Sequence, residues 1–268
     1  MESEGIPSLQ KICYEVLAQY AGYIEEIDVM TSFEVKEICL RSNAFGLANL
    51  ESLFTENLQV DVEDMWRVLY EQRKAQDPKK IPDLVSKIYG EGFYKQAVLA
   101  GVLKEMLASD EMDDEDLERL LTFSKNLKIL EVNKITRTSW DWILSRFTNL
   151  IHLSMENSKL GPDSGLMIRD TINRCACLQT LNVNNVILKD QGALMIAQVL
   201  PNSKICELYM SFNDLTYTSI EVICNIIIQH SYLVIVYLNK NLNPREVKKG
   251  QILCNRVRNV RNIKLNIV

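Results

Sequence analysis

The sequence contains few of the residues that build catalytic or metal sites. Among its 268 residues there are only two histidines, His152 and His230, and neither has a cysteine or aspartate at a spacing typical of a metal site or a nucleophile–base pair. Gly90 and Gly92 lie outside the strand–turn–helix setting of a phosphate loop, and no Walker lysine follows them. We therefore expect no catalytic, metal or cofactor residues and predict a protein that is not an enzyme.

Disulfide, secretory and membrane signals are also missing. The seven cysteines are odd in number and show no disulfide-framework spacing, so we interpret them as reduced, buried thiols, including Cys175 and Cys177. Residues 1–8 lack the basic and apolar regions of a signal peptide, and no apolar run is long enough to span a membrane. The sequence therefore predicts an intracellular protein of the nucleus or cytoplasm, with no membrane partner.

The charge is mild overall but uneven along the chain. A net charge of −5 argues against a specific nucleic-acid partner. From Lys240 to Val268, however, eight lysines and arginines stand against a single acid, Glu246. A solvated terminal segment is the ordinary interpretation of such a basic end.

The second half of the chain repeats one apolar pattern, Leu-x-x-Leu-x-Leu. Its six copies begin at Leu127, Leu150, Leu178, Ile205, Leu233 and Val260, which are 23, 28, 27, 28 and 27 residues apart. A fixed period of this size indicates stacked strand–helix units rather than one closed core. The pattern is typical of leucine-rich repeats of the ribonuclease-inhibitor-like class. We expect six parallel strands, with Leu181 and Leu208 buried and with Asn213 and Asn241 bonding the turns.

Residues between the leucines should face the concave side, because side chains alternate along a strand. The predicted central ladder consists of Glu131, Ser154, Asn182, Tyr209, Tyr237 and Lys264, and the flanking ladder of Ile129, His152, Thr180, Glu207, Ile235 and Asn262. Large amphipathic side chains are enriched at binding hot spots. We predict that a protein substrate binds at Tyr209, Phe212, Tyr237, Lys240 and Lys264. The alternative is that Phe212 packs into its turn and the tyrosines are ordinary strand residues.

The N-terminal segment carries a motif on one helical stripe. Ser8 is a candidate N-cap after Pro7, and Leu9, Cys13 and Leu17 follow at i, i+4 and i+8. The pattern resembles the BC-box of elongin-binding proteins. The resemblance implies that Ser8, Leu9, Cys13 and Leu17 bind elongin C, which carries elongin B. A plain amphipathic helix with a core cysteine is the alternative.

The stretch after this motif is also similar to elongin A and related receptors. Asn57 and residues 63–67, Glu-Asp-Met-Trp-Arg, resemble the Asn…Thr-Asp-x-Leu-Trp-Lys stretch of elongin A, with a shorter spacing from asparagine to tryptophan. A cullin box would lie near residues 30–42, which lack its typical prolines. The resemblance implies a cullin contact there, through Phe33, Val35, Ile38 and Leu40.

Together these features predict an α/β fold, a leucine-rich-repeat solenoid preceded by an all-helical adaptor domain. Residues 1–75 would form the BC-box and cullin-box-like domain, 76–109 a linker and helical cap, and 110–268 the repeats. The implied function is the substrate-recognition subunit of an elongin–cullin ubiquitin ligase. A repeat scaffold without a ubiquitin role and an elongin A-like transcription-elongation subunit are the alternatives.

Overall fold

The computed structural model describes residues 15, 17–19, 21, 42–53, 62–82, 92–108, 114–134, 140–229 and 232–268. The chain divides into two compact units, Met1–Val102 and Leu103–Val268. The division falls inside a helix. The three-part domain organisation expected from the sequence stays a prediction.

The first unit is helical in its described part. Helix α1 spans Ala44–Ser52, α2 spans Val62–Gln76, and a 3-10 helix at Pro78–Lys80 follows, before α3 at Phe93–Ala108. Asn43 begins α1, because its side-chain oxygen accepts a hydrogen bond from the Gly46 N–H at 2.8 Å. The side-chain amide of Asn49 donates to the Ala21 carbonyl at 2.9 Å. A Cβ on Gly46 would lie only 2.7 Å from that of Ala21, so α1 and the segment at Ala21 pack at very close range.

Trp66 joins the three helices of this unit. Its side chain is 1% exposed, and its indole N–H donates to Glu51 Oε2 at 3.0 Å. The ammonium of Lys95 lies 2.8 Å from the same carboxylate oxygen and 5.9 Å from the Trp66 ring centroid. The tryptophan of the elongin A-like stretch is therefore a core residue whose polar atom is satisfied internally.

The second unit contains a parallel sheet of six strands in chain order. The strands are β1 Ile129–Glu131, β2 His152–Ser154, β3 Thr180–Asn182, β4 Glu207–Tyr209, β5 Ile235–Tyr237 and β6 Lys264–Asn266. The central residue of every strand is fully buried, including Leu181 and Leu208. Both the parallel pairing and these two buried leucines are confirmed predictions, and the fold class is mixed α/β.

Helices connect the strands. They are α4 Asp114–Ser124, α5 Trp140–Ser145, α6 Ser164–Arg174, α7 Lys189–Ala197, α8 Tyr217–Gln229 and α9 Val247–Val260, with a 3-10 helix at Leu200–Asn202. In α8 the buried residues Ile220, Ile223, Cys224 and Ile227 follow the i, i+3, i+4, i+7 spacing of one helical stripe. The shortest spacing between strands, from β1 to β2, holds the shortest of these helices, α5.

Asparagine side chains hold neighbouring turns together after the strands. The Asn213 side chain is fully buried, and its oxygen accepts from the N–H groups of Val186 at 3.0 Å and Leu188 at 3.2 Å. Its amide donates to the Val183 carbonyl at 2.7 Å. The Asn241 oxygen accepts from the Asn213 N–H at 2.6 Å, so each asparagine side chain holds the turn of the preceding strand–helix segment. The predicted role of both asparagines is confirmed.

The register predicted for the last strand is wrong by two residues. Leu265, not Ile263, pairs with Val236, and the buried residues in and beside this strand are Ile263, Leu265 and Ile267. Val260, expected to begin the sixth copy of the pattern, ends α9 and is 60% exposed. Residues 263, 265 and 267 are all apolar. A shift of the strand by two residues therefore keeps the same side chains facing inward, and the apolar pattern alone does not choose between the two registers.

Candidate binding surface

The strand face, defined here as the first and third positions of each strand, opens progressively from β1 to β6. Its residues on the first strands are buried, namely Ile129, Glu131, His152, Ser154 and Thr180. Glu131 is fixed there by the ammonium of Lys104 at 2.5 Å. From β4 onward Glu207, Tyr209, Ile235 and Tyr237 are half-buried and Lys264 is exposed. The accessible part of this face therefore lies on β4–β6.

Tyr209 and Tyr237 form the centre of the accessible part. The two residues pair across β4 and β5, and their rings stack with centroids 5.4 Å apart and an interplanar angle of 7°. The Tyr209 hydroxyl donates to Glu207 Oε2 at 3.2 Å, and Thr180 donates to the same oxygen at 3.4 Å. Burial and the neighbouring Glu207 carboxylate raise the pKa of Tyr209 to about 12. Tyr209 is therefore a neutral hydroxyl at physiological pH, fixed in orientation.

Lys264 lies beside this pair, although at a different position from the one predicted. The corrected register moves Lys264 from the central to the flanking ladder, and Asn266 takes the place opposite Tyr237. The Lys264 ammonium lies 5.3 Å from the Tyr237 ring centroid, within cation–π distance. The prediction that Asn262 belongs to the flanking ladder is wrong for the same reason.

A row of left-handed residues borders the strand face just past the strands. Asn157, Asn185, Phe212 and Lys240 occupy equivalent places in successive units, with φ between 54° and 60°. Asparagine adopts this conformation readily, but a bulky side chain does so at a cost. Phe212 is also 53% exposed, so the alternative that it packs into its turn is wrong.

The predicted substrate residues therefore lie together at one end of the sheet. Tyr209, Tyr237 and Lys264 make direct ring contacts, while Phe212 and Lys240 lie in the adjacent turns of β4 and β5. Glu207 was predicted in the flanking ladder but not among the substrate residues, and the hydrogen bond that it accepts from Tyr209 was not predicted. The sequence did contain a signal for this contact: Glu207 and Tyr209 are two residues apart, and this spacing puts both side chains on one face of β4.

Most of the predicted elongin and cullin contacts lie outside the described residues. They are Ser8, Leu9, Cys13, Phe33, Val35, Ile38 and Leu40. Leu17 is described, lies in helical backbone and is 38% exposed, while the next residue, Ala18, is 4% exposed. Leu17 therefore lies on the accessible side of the backbone here and Ala18 on the buried side.

Three of the described cysteines are buried, as expected. Burial raises the pKa of the Cys224 thiol to about 12, and it also raises the pKa values of Cys175 and Cys254. Such thiols are poor nucleophiles at neutral pH. The expectation of burial is wrong for Cys177, which is exposed in the turn before β3, and Cys206 is only half-buried.

Membrane-spanning helices and clusters of metal-ligating side chains are absent from the described part of the chain. Its helices include none that is both long and apolar enough to cross a membrane. Its histidines, cysteines and acids form no group of three that could hold a metal ion.

Comparison with known proteins assigns no family. No family model matches the sequence, and no curated protein matches it. Among solved structures, the chain is similar to leiomodin-1 actin-binding site 2, with 18% sequence identity and a TM-score of 0.42. The match covers 49% of this chain and 80% of that one. At this identity and TM-score the likeness supports no conclusion about function.

Proposed function

We propose that the sheet and its helices form a leucine-rich-repeat solenoid of the ribonuclease-inhibitor-like class, behind an all-helical adaptor domain. Strands in chain order, parallel pairing and a helix in each connection support this proposal. The spacing supports it too, since the strands begin 23, 28, 27, 28 and 29 residues apart. The asparagine bonds between neighbouring turns are the kind of contact that stacked units need.

We further propose that this protein is the substrate-recognition subunit of an elongin B/C–cullin ubiquitin ligase. The proposal depends first on the stripe of Leu9, Cys13 and Leu17 after the candidate cap Ser8. Exposure of Leu17 supports it, because a side chain that binds a partner must remain accessible in the free chain. In this arrangement elongin C binds the stripe and a cullin binds near Phe33, Val35, Ile38 and Leu40.

The strand face on β4–β6 would hold the protein substrate. Tyr209, Tyr237 and Phe212 offer large apolar surfaces with low side-chain entropy, and Lys240 and Lys264 add charge. A receptor of this kind needs no catalytic residue of its own. It acts by raising the effective concentration of the bound substrate near the ligase.

The elongin contact is tested with a double variant, Leu9→Ala with Cys13→Phe. The first change removes the apolar side chain for the pocket, and the second places a bulky ring where the helices must approach closely. We expect loss of binding to purified elongin B–C in a pulldown, with an unchanged thermal unfolding midpoint. Glu15→Ala is the matched control, because Glu15 is exposed on the same helix but off the stripe.

Unchanged elongin binding by the double variant would exclude the BC-box interpretation. In that case the chain is better described as a repeat scaffold, a function that the half-buried tyrosine pair supports by itself. An elongin A-like transcription-elongation subunit would bind elongins B and C but assemble with transcription factors. Co-purification of a cullin with the elongin-bound chain separates the ligase role from that third function.

A further inference from the structure

Four of the eight cations in the basic segment 240–268 bind groups of the chain that lie outside the strand face. They cap backbone carbonyls, bond a side-chain amide or cover a ring of the preceding helix, which ties the last unit to the rest of the fold. These contacts are those of Arg258 with the Leu265 carbonyl, Arg261 with the Leu233 carbonyl at 3.2 Å, Arg256 with Asn225 Oδ1 at 2.6 Å, and Lys249 with the Tyr217 ring at 5.7 Å. The basic composition of this segment is thus partly structural and not a measure of free positive charge.

The other four cations are Lys240, Arg245, Lys248 and Lys264, and within the described residues none of them forms an ion pair. One of the four contacts the tyrosine pair, and a second lies in the turn just past β5. Lys264 lies over the Tyr237 ring, and Lys240 follows β5 in the exposed left-handed row, next to Phe212 in the neighbouring unit. Both side chains are exposed, so their ammonium groups are available to a ligand.

The polar groups beside Tyr209, on β4, differ from those beside Tyr237, on β5. At the β4 end the Tyr209 hydroxyl is already bonded to the Glu207 carboxylate. At the β5 end the Tyr237 hydroxyl has no hydrogen-bond partner within the described part of the chain. The surface therefore has negative charge beside β4 and hydrogen-bond donors with positive charge beside β5 and β6. A ligand that satisfies these donors must bring an acceptor, and preferably an anionic one.

We propose that this face binds a peptide segment in which an acidic residue stands beside a large apolar residue. The carboxylate lies between Lys240, Lys264 and the Tyr237 hydroxyl, and the apolar side chain packs on Phe212 and the ring edges. The Glu207 carboxylate repels an acid at the opposite end, so the bound segment has a fixed direction across the strands. This inference rests on the substrate-binding role proposed for the face, and it adds the chemistry and orientation of the ligand.

A nucleic acid fits this face less well than an acidic peptide. In the described part of the chain, Lys240 and Lys264 are the only two lysines without an ion pair on or just past β5 and β6, and Glu207 lies on the same face. Tight binding to a phosphate backbone needs several cations along a track, and the net charge of the whole chain is −5. The two lysines are therefore better matched to one or two carboxylates.

The test is a selection from random 12-residue peptides displayed on phage, with the full chain immobilised and no elongin present. Peptides with an acidic residue next to an aromatic or aliphatic one should be enriched. Synthetic copies of those peptides should lose roughly two- to fivefold in affinity for Lys240→Gln and again for Lys264→Gln, the range of exposed ion pairs. Higher salt should weaken their binding to the wild type and have a smaller effect on the double variant. Lys204→Gln is the matched control, since Lys204 is exposed before β4.

Two outcomes overturn the inference and are distinguishable. If the selected peptides lose binding with Tyr209→Ala and Tyr237→Ala together but show no excess of acids and no response to the lysine variants, the face binds peptides of another chemistry. If no selected peptide depends on the tyrosines, the binding role of the face fails as well. Neither result bears on elongin binding, which is measured separately through Leu9 and Cys13.

Discussion

The Cα atom of Gly192 occupies the space that a side chain on Gly165 would need. A Cβ built on Gly165 would lie 2.4 Å from Gly192 Cα and 2.5 Å from the Gly192 carbonyl oxygen. A Cβ on Gly192 would in turn lie 2.7 Å from the Pro162 carbonyl oxygen. Helices α6 and α7 therefore pack backbone against backbone at this point.

Gly165→Ala should destabilise the second unit, although helix propensity alone favours the change by about 1 kcal/mol. The clash is with backbone atoms, which cannot move aside as the end of a side chain can. We expect a loss of about 1–3 kcal/mol in the free energy of unfolding, measured by urea titration. Gln191→Ala, at an exposed position of α7, should change it by less than about 0.5 kcal/mol. A stabilising Gly165→Ala would show that the two helices are farther apart.

Asp190 links α7 to the start of α8. One of its carboxylate oxygens accepts from the Thr216 N–H at 2.8 Å and from the Ser219 hydroxyl, and the other accepts from the Thr216 hydroxyl at 2.8 Å. Burial by itself would raise the pKa of Asp190, but the hydrogen bonds from Ser219 and Thr216 outweigh it and lower the pKa below its ordinary value. The folded state therefore binds the Asp190 proton less tightly than the unfolded state.

The contribution of Asp190 to stability should consequently depend on pH. It is fully present above the unfolded pKa of about 3.9 and is lost as the pH falls through the lower folded value. Asp190→Asn should cost about 1 kcal/mol at pH 7, because hydrogen bonds to a charged acceptor are stronger than those to a neutral one, and the difference from wild type should shrink below about pH 4. Urea unfolding at several pH values measures this. Asp163→Asn is the control, because Asp163 precedes α6 without a side-chain capping bond. A difference that is constant down to pH 3 would contradict the assignment.

Asn213→Ala should be among the most destabilising polar changes in the chain. It removes the acceptor for two turn N–H groups and the donor for the carbonyls of Val183 and Ser211. Each buried polar group left unpaired costs about 1–3 kcal/mol, so we expect a total loss of at least about 2 kcal/mol. Thermal or urea unfolding measures the loss. Asn173→Ala, at an exposed position of α6, should be nearly neutral. Similar effects for the two variants would mean that the turns do not depend on Asn213.

The register of β6 can be tested with two aliphatic residues. In the observed register Ile267 is 1% exposed and Val260 is 60% exposed. Ile267→Ala should therefore cost about 2–5 kcal/mol, whereas Val260→Ala should cost less than about 0.5 kcal/mol. The register expected from the sequence predicts a substantial cost at Val260, where the sixth copy of the pattern would begin. Urea titration of the two variants distinguishes the alternatives.

The periodicity of the sequence was enough to predict several parts of the fold. Leu181 and Leu208 could be identified as inward-facing residues, because an apolar side chain recurs at their place in every copy of the pattern and only a buried position requires one. Parallel pairing in chain order followed from the same period, since a helix in every connection brings the next strand back beside the last. Asn213 and Asn241 were identifiable because a polar residue at a fixed offset from the leucines has few roles other than bonding the turn.

Features that depend on neighbours far apart in the sequence could be seen only in the folded chain. The position of β6 followed from where α9 ends, which alternating apolar residues at 263, 265 and 267 do not specify. The stack of Tyr209 on Tyr237 needed the aligned register of β4 and β5, and the Lys264 contact needed the corrected register of β6. The exposure of Phe212 depended on a left-handed backbone that the composition of its turn did not reveal. These features arise from packing between neighbouring strands and turns, because the fold determines which groups surround a side chain and how much of it is exposed.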